Sequence, residues 1–272
     1  MNNRMSKFIQ IIINADDYGL NSGVNTAIIN LMRKGVVTST SVLANYITDS
    51  AARELVEVSN IQNISIGLHL NLVEGQPVYK NEKGSTIVNR NGYFFSPAKL
   101  IFRCLFGFID KNDVTMEFDA QLSRLKDVGL NISHVDSHMH AHMFPFISKI
   151  ISTKMKEKNI NKVRCTTPTY IGNLRMLILI LFSYAFTYRF KNILSPVKLI
   201  TYFSNKRANI IGLVEHIANQ PENTYELMVH PSVSKSGDVY DSLNEYEILN
   251  REKFKSLLND NMLLLISFND LS

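Results

Sequence analysis

QIIINADDYGL, residues 10–20, begins as a buried strand and ends on two adjacent carboxylates. Three consecutive isoleucines are stiff at χ1 and pack well on a pleated surface, which predicts a strand. Burying an ionised carboxylate is costly unless a cation or hydrogen-bond donors meet it. Asp16 and Asp17, closing an apolar strand, are therefore the first active-site candidates. The alternative is that Asp17 caps the helix that follows through Tyr18, Gly19 and Leu20.

Outward from this stretch, strands and helices alternate. Asn21 to Lys34 has apolar residues at helical spacing (Val24, Ala27, Ile28, Leu31, Met32) and stops at Gly35. Val36 to Asn45 is β-branched and reads as a second strand, and Ser50 to Val58 as a helix. Ile64 to Asn71, ISIGLHLN, alternates strictly: Ile64, Ile66, Leu68 and Leu70 share one face, and Ser65, Gly67, His69 and Asn71 the other. In a barrel of parallel strands, branched residues can face the outer helices while small or functional ones face the axis, which would turn His69 inward. A hydrogen-bonded core histidine is the competing account. Residues 73–97 break the rhythm with Gly75, Pro77, Gly84 and an Arg90-Asn91-Gly92 turn, predicting a long excursion with a hairpin, a lid or substrate wall.

After a helix of undefined length and one over Val114 to Val128 comes HVDSHMHAH, His134 to His142, with four of the seven histidines. Period two puts His134, Asp136 and His138 on one face, and His140 continues the phase if the strand persists. Such crowding points to a metal or catalytic role for at least one of them. Phe146 to Lys158 reads as a helix, Lys162 to Thr167 as a strand containing Arg164, and Leu174 to Tyr188 as an apolar helix. Pro196 to Phe203 reads as a strand and Arg207 to Asn219 as a helix. In YELMVH, Tyr225 to His230, alternation aligns Glu226, Met228 and His230, with Pro231 as the stop. Tyr246 to Leu258 is helical and Met262 to Phe268 a last strand. With no compositional break, residues 1–272 read as one α/β domain.

Composition is that of a globular protein, 45% hydrophobic and 19% charged, which argues against disorder. Two isolated cysteines, Cys104 and Cys165, suggest neither a disulfide framework nor a thiolate zinc site and fit a cytoplasmic location. Neither a signal peptide nor a spanning helix is expected. Between Glu157 and Glu215 the chain has no acidic residue and nine lysines and arginines, making residues 158–214 atypically apolar and basic. Nucleic-acid binding is not expected, because this basic segment carries no recognisable reading motif.

Asp16, Asp17, His69, His138 and His230 all fall at C-terminal ends of predicted strands, which a parallel barrel gathers on one face. A carboxylate and two imidazoles can hold a metal while leaving positions open for water and substrate. NADDYGL, GVVTSTSVLAN (Gly35 to Asn45), GLHLNL with the following EGQPV, DSHMHAHMFP and ELMVHP, in this order from Asn14 to Pro231, resemble the successive motifs of the YdjC-like carbohydrate deacetylases, which include chito-oligosaccharide deacetylases. The resemblance covers nearly the whole chain. It implies a single-domain distorted (β/α) barrel related to the polysaccharide deacetylases, and one divalent ion, magnesium or zinc. By motif position the ion would be held by Asp17, His69 and His138, with Asp16 as general base and His230 as general acid.

The implied reaction removes an N-acetyl group from an acetylated amino sugar. Asp136 is expected to orient a histidine and Glu226 to orient His230. His140 and His142 are expected to contact sugar hydroxyls or offer an alternative ligand, Asn45 and Glu74 to line the pocket, and Arg164 to lie near it. Competing readings are another metal-dependent hydrolase, such as a phosphoesterase, and a non-catalytic sugar-binding protein. The apolar stretch MLILILFSYAF, Met176 to Phe186, is flanked by basic residues. It suggests either a buried helix or peripheral association with an anionic membrane, where a lipid-linked sugar would be met. A homodimer is compatible with the sequence.

Overall fold

The isoleucine run and the Asp pair lie together on β1 (Ile9–Tyr18), buried along nearly its whole length. The computed structural model describes residues 9–81, 84–165, 167, 181–182, 189–190, 193–196, 198–200, 210–221, 223–234 and 241–272. β1 is followed by α1 (Ser22–Arg33), β2 (Ser39–Val42), α2 (Asp49–Ile61), β3 (Ser65–Leu70), α3 (Pro97–Leu105), α4 (Lys111–Asp127) and β4 (His134–Ser137). A short 3-10 turn over His138–Met143 leads into α5 (Pro145–Glu157), and then come β5 (Lys198–Ile200), α6 (Ile210–Ala218), β6 (Thr224–Val229), α7 (Ser242–Leu249), α8 (Glu252–Asp260) and β7 (Leu263–Ile266).

The strands form one parallel sheet in the order β4-β3-β2-β1-β6-β5, with β7 pairing the first half of β1. β2 and β7 divide one side of β1, β7 taking Ile9 to Ile12 and β2 taking Asn14 onward. Beyond β4, Arg164 N donates to Val135 O at 3.1 Å, and Leu199 N donates to Thr167 O at 3.0 Å. Arg164 thus meets the β4 edge and Thr167 the β5 edge, and the sheet curls into the distorted (β/α) barrel that the family resemblance implies. Parallel pairing needs long crossovers, and the helices supply them while covering the outer face.

The inward faces are polar in layers: Asn14 and Asp16 on β1, Ser39 and Ser41 on β2, Gly67 and His69 on β3, His134 and Asp136 on β4, all buried except where a pocket opens. Gly67 is required here, because a Cβ on it would lie 2.4 Å from His134 Nε2. His134 stacks on Phe268 at 3.8 Å between centroids, and burial lowers its imidazole to about 3, so it is a neutral core residue.

Several elements differ from the sequence reading. β2 is confined to Ser39–Val42. Among its described residues, the segment expected as a strand over Lys162 to Thr167 makes isolated bridges, Val135 to Val163 and Lys162 to Leu194, and forms no named strand. The single helix expected over Tyr246 to Leu258 is two, because Arg251 is extended (φ −73°, ψ 137°) and resets the phase. Ile248 and Leu249 before the break, and Phe254 and Leu258 after it, are thereby all buried. The hairpin in the excursion is present, with Val88 bridged antiparallel to Phe94. Most of the apolar helix expected over Leu174 to Tyr188, and the end of the strand expected over Pro196 to Phe203, lie outside the described residues. No helix among the described residues is long and apolar enough to cross a membrane.

Candidate active site

Neighbours on a regular strand point to opposite faces, so Asp16 and Asp17 could not both serve one site on an unbroken β1. The strand solves this with an extra residue. Ala15 pairs with Thr40 but Tyr18 pairs with Val42, and at the irregularity Asp17 takes a left-handed backbone with φ 67°. Aspartate is among the residues that tolerate this region, at a cost of about 1–3 kcal/mol. Both carboxylates then line the same small pocket, shared with His69, Ser137, His138, Met139, His140, Met228 and His230.

Parallel strands deliver the other groups to the same end. His69 is the penultimate residue of β3, His138 follows the last residue of β4, and His230 follows the last residue of β6. The strand expected to continue through His140 ends at Ser137, and left-handed conformations at Met139 and His140 turn the chain across the barrel mouth. His140 lines the cavity, but not through strand phase. His142 is directed inward instead, its Nδ1 on Ser137 Oγ, its Nε2 3.4 Å from Arg164 O, and burial lowers its pKa to about 4. His142 is completely buried and does not line the pocket that holds His140.

Asp17 Oδ1 lies 3.2 Å from His69 Nε2 and 2.9 Å from His138 Nδ1. The other nitrogen of each imidazole is held by a second carboxylate: His69 Nδ1 is 2.7 Å from Asp136 Oδ1, and His138 Nε2 is 3.0 Å from Glu74 Oε2. Ser41 Oγ also meets His69 Nδ1, at 3.1 Å. Burial alone would raise Asp17, but His138 and His69 outweigh it and hold the carboxylate well below its usual range. Burial would lower the two imidazoles, yet Asp136 and Asp16 raise His69 well above its ordinary value, and Asp17 with Glu74 raises His138 to about 9.

Beneath this cluster sits Arg164, fully buried. Its Nη1 and Nη2 donate to Asp16 Oδ2 and Oδ1 at 2.7 and 2.6 Å, its Nη2 lies 2.9 Å from Asp136 Oδ2, and its Nε donates to Glu226 Oε1 at 2.7 Å. Asn14 Nδ2 also donates to Asp16 Oδ1, at 2.7 Å. Glu226, expected to orient His230, thus holds Arg164. Glu245 on α7 accepts from the His230 backbone N–H at 2.6 Å. His230 Nε2 faces Asp16 Oδ2 at 3.9 Å, and burial lowers the imidazole against the pull of Asp16 and Asp17. Asn45 holds the loop after β3, donating to Glu74 O and Gln76 O, and Glu74 is the part of that loop that reaches the cluster.

Ser41, Asn14 and Glu245 were not among the residues expected from sequence. Asn14 is two residues before Asp16, and Ser39 and Ser41 alternate like the β3 face, so both carried a weak signal in period two. Glu245 carried none, because it comes from a helix fifteen residues beyond its partner.

The residues fit a divalent cation. One ligand atom from each of Asp17, His69 and His138 lies within 4.8 Å of the others, and each imidazole is backed by a carboxylate, the arrangement that fixes ring orientation in metal sites. Asp16, His69 and Asp136 also lie close together, but both of those carboxylates are already engaged by Arg164, which makes them poor ligands.

A carbohydrate deacetylase of Clostridium beijerinckii is 27% identical over 274 residues, spanning 97% of this chain and 100% of that protein. A chitooligosaccharide deacetylase of Yersinia pestis is 29% identical over 268 residues, 96% of this chain and 98% of its own. The crystal structure of a candidate cellobiose-phosphate cleavage protein from Enterococcus faecalis V583 superposes with a TM-score of 0.79 at 21% identity, covering 96% of this chain and 98% of that one, which shows a shared fold. The family model described as YdjC-like protein matches residues 10–260, and the chain belongs to that family.

Proposed function

We propose that this protein is a metal-dependent carbohydrate N-deacetylase, hydrolysing the acetamide of an acetylated amino sugar to acetate and the free amine. The observation that carries this reading is one pocket in which two proton-transfer candidates, Asp16 and His230, adjoin a carboxylate and two imidazoles suited to a cation. Full-length relatives named as carbohydrate deacetylases supply the substrate class.

In this reading Asp17, His69 and His138 hold one divalent ion, zinc or magnesium. When bound, the ion supplies Lewis-acid polarisation of the amide carbonyl and a lowered pKa for water. Asp136 and Glu74 fix the two imidazoles from behind. Arg164 and Asn14 grip Asp16 so that its carboxylate cannot rotate. Asp16 takes a proton from the attacking water as its oxygen bonds to the carbonyl carbon. His230, whose Nε2 lies 3.9 Å from Asp16 Oδ2 in the same pocket, gives its own proton to the sugar nitrogen as the C–N bond breaks, and is reprotonated from solvent while Asp16 releases the proton it took from water. Glu245 anchors the backbone of His230.

Acetate release from a panel of N-acetylated amino sugars, with added metal and with chelator, tests the proposal. Metal-dependent acetate is expected. Absence of acetate from every sugar, alongside phosphate release from sugar phosphates by the same preparation, would replace it with the phosphoesterase reading.

A further inference from the structure

We propose that α3 and the turn after it dock this protein on an anionic membrane surface. Leu100 is the one buried residue of α3, although the helix and turn carry Ile101, Phe102, Leu105, Phe106 and Phe108. Five of the eleven large hydrophobic side chains exposed among the described residues belong to Tyr93 and this segment: Tyr93, Phe102, Leu105, Phe106 and Phe108. The three phenylalanine rings form a cluster on the surface, 4.4 Å between the centroids of Phe102 and Phe106, and 6.4 Å from each to Phe108. Scattered exposed hydrophobics need no explanation, but a contiguous aromatic patch marks a contact surface.

The patch is built rigidly. Gly107, at φ 73°, turns the chain between Phe106 and Phe108, and Arg103 locks the turn by donating from Nη2 to Phe108 O and from Nε to Thr86 O. Ordered aromatic side chains lose little entropy on docking.

Charge selects the occupant. Residues 90–112 carry Arg90, Lys99, Arg103 and Lys111 against one acidic residue, Asp110. Lys99 and Arg103 sit over the Phe95 ring at 4.6 and 4.8 Å, at the base of the patch. A twofold contact with a second copy would set this cationic stretch against itself, which disfavours association. An anionic lipid surface accepts both features, the rings entering the boundary of the acyl region and the cations meeting the headgroups. The segment also communicates with the pocket by covalent and hydrogen-bonded continuity. Phe94 N donates to Gly75 O at 2.9 Å, and Gly75 follows Glu74, which holds His138. Docking stands independently of the deacetylase reading, and would present the pocket to amphiphilic substrates.

Co-sedimentation of the full chain with phosphatidylcholine vesicles, with and without phosphatidylglycerol, at low and high salt tests this. The parent is expected to bind the anionic vesicles and to be released by salt. Combined Phe102→Ser, Phe106→Ser and Phe108→Ser substitution should weaken binding at least about 10-fold. Lys99→Gln and Lys111→Gln, both at exposed positions, should each weaken it about 5-fold, and keep the test decisive if the serine variant misfolds. No binding by the parent at low salt, or unchanged binding by the folded variants, would overturn the proposal. So would a parent dimer that the serine changes convert to monomer with no vesicle binding, which would make the patch an interface between copies.

Discussion

Asp16, Asp136 and Glu226 converge on the single guanidinium of Arg164, and all four groups are buried. The three carboxylates repel one another in a buried site, which favours one of them keeping its proton. Burial, followed by the fields of Asp136 and Asp16, raises Glu226 from 4.5 to about 8 even against Arg164. Between these values the folded chain holds a proton that the unfolded chain has released, so this group's contribution is greatest below pH 4.5 and is lost as pH rises toward 8. The difference in urea stability between the parent and Glu226→Gln, which mimics the protonated form, should change between pH 5 and 8 to the parent's disadvantage, by at most about 1.4 kcal/mol per pH unit; parallel profiles would mean that Glu226 is ionised throughout. The two proton-transfer candidates allow a sharper test. Asp16→Asn and His230→Ala should keep bound metal by elemental analysis while losing about 100 to 10,000-fold in turnover. Activity of both within a few-fold of the parent would assign proton transfer elsewhere.

The elements around the site are held by polar groups on buried helix faces. α4 turns Asp113, Glu117 and Gln121 inward as well as Val114, Phe118 and Leu122. Glu117 accepts from the backbone N–H groups of Val78 and Tyr79 at 3.0 and 2.8 Å, Asp113 accepts from Thr86 N and Oγ1, and Gln121 pairs with the backbone of Asn71. α4 therefore functions as a clamp on the excursion between β3 and α3. Glu117→Ala should leave two partly buried N–H groups without their acceptor, at less than the roughly 1–3 kcal/mol each that a fully buried group would cost. Faster proteolysis within residues 73–95, together with a lower urea midpoint, is the expected result. Cleavage at the parental rate would show that Asp113 and Gln121 hold the excursion without it.

Across the whole molecule, the cation-site residues come from β1, β3 and the turn after β4, so an ion held by them ties three strand ends that the unfolded chain leaves apart. A ligand that binds only the folded state stabilises it by about 2.7 kcal/mol at one hundred times its dissociation constant. Thermal unfolding with chelator and then with zinc or magnesium should show a metal-dependent rise in the midpoint. His138→Ala should abolish that rise, since it removes one of three ligands from a solvent-facing position. A rise of equal size in the variant would place the ion elsewhere. The donor set suits either metal tested, imidazoles favouring zinc and carboxylate with water favouring magnesium.

Most of the order of the described strands and helices, the inward face of β3 and the placing of His69 and His230 at strand ends were legible in the sequence. Each follows from a local period, and parallel strands share a direction. The hairpin at Arg90 to Gly92 was legible for the same reason, because turn chemistry is local. Three features were decided only by tertiary structure. The bulge at Asp17 brings two adjacent carboxylates to one side, and nothing in the letters DD distinguishes it from a straight strand. The end of β4 at Ser137 sends His140 and His142 to different surroundings, because left-handed residues interrupted a phase that the histidine spacing appeared to continue. The partners of Arg164 come from positions 16, 136 and 226, and those of His230 from 16 and 245. Hydrogen bonding and charge act across space, so a residue's own surroundings in sequence name what it can bind, while the closing of the barrel chooses which partner it meets.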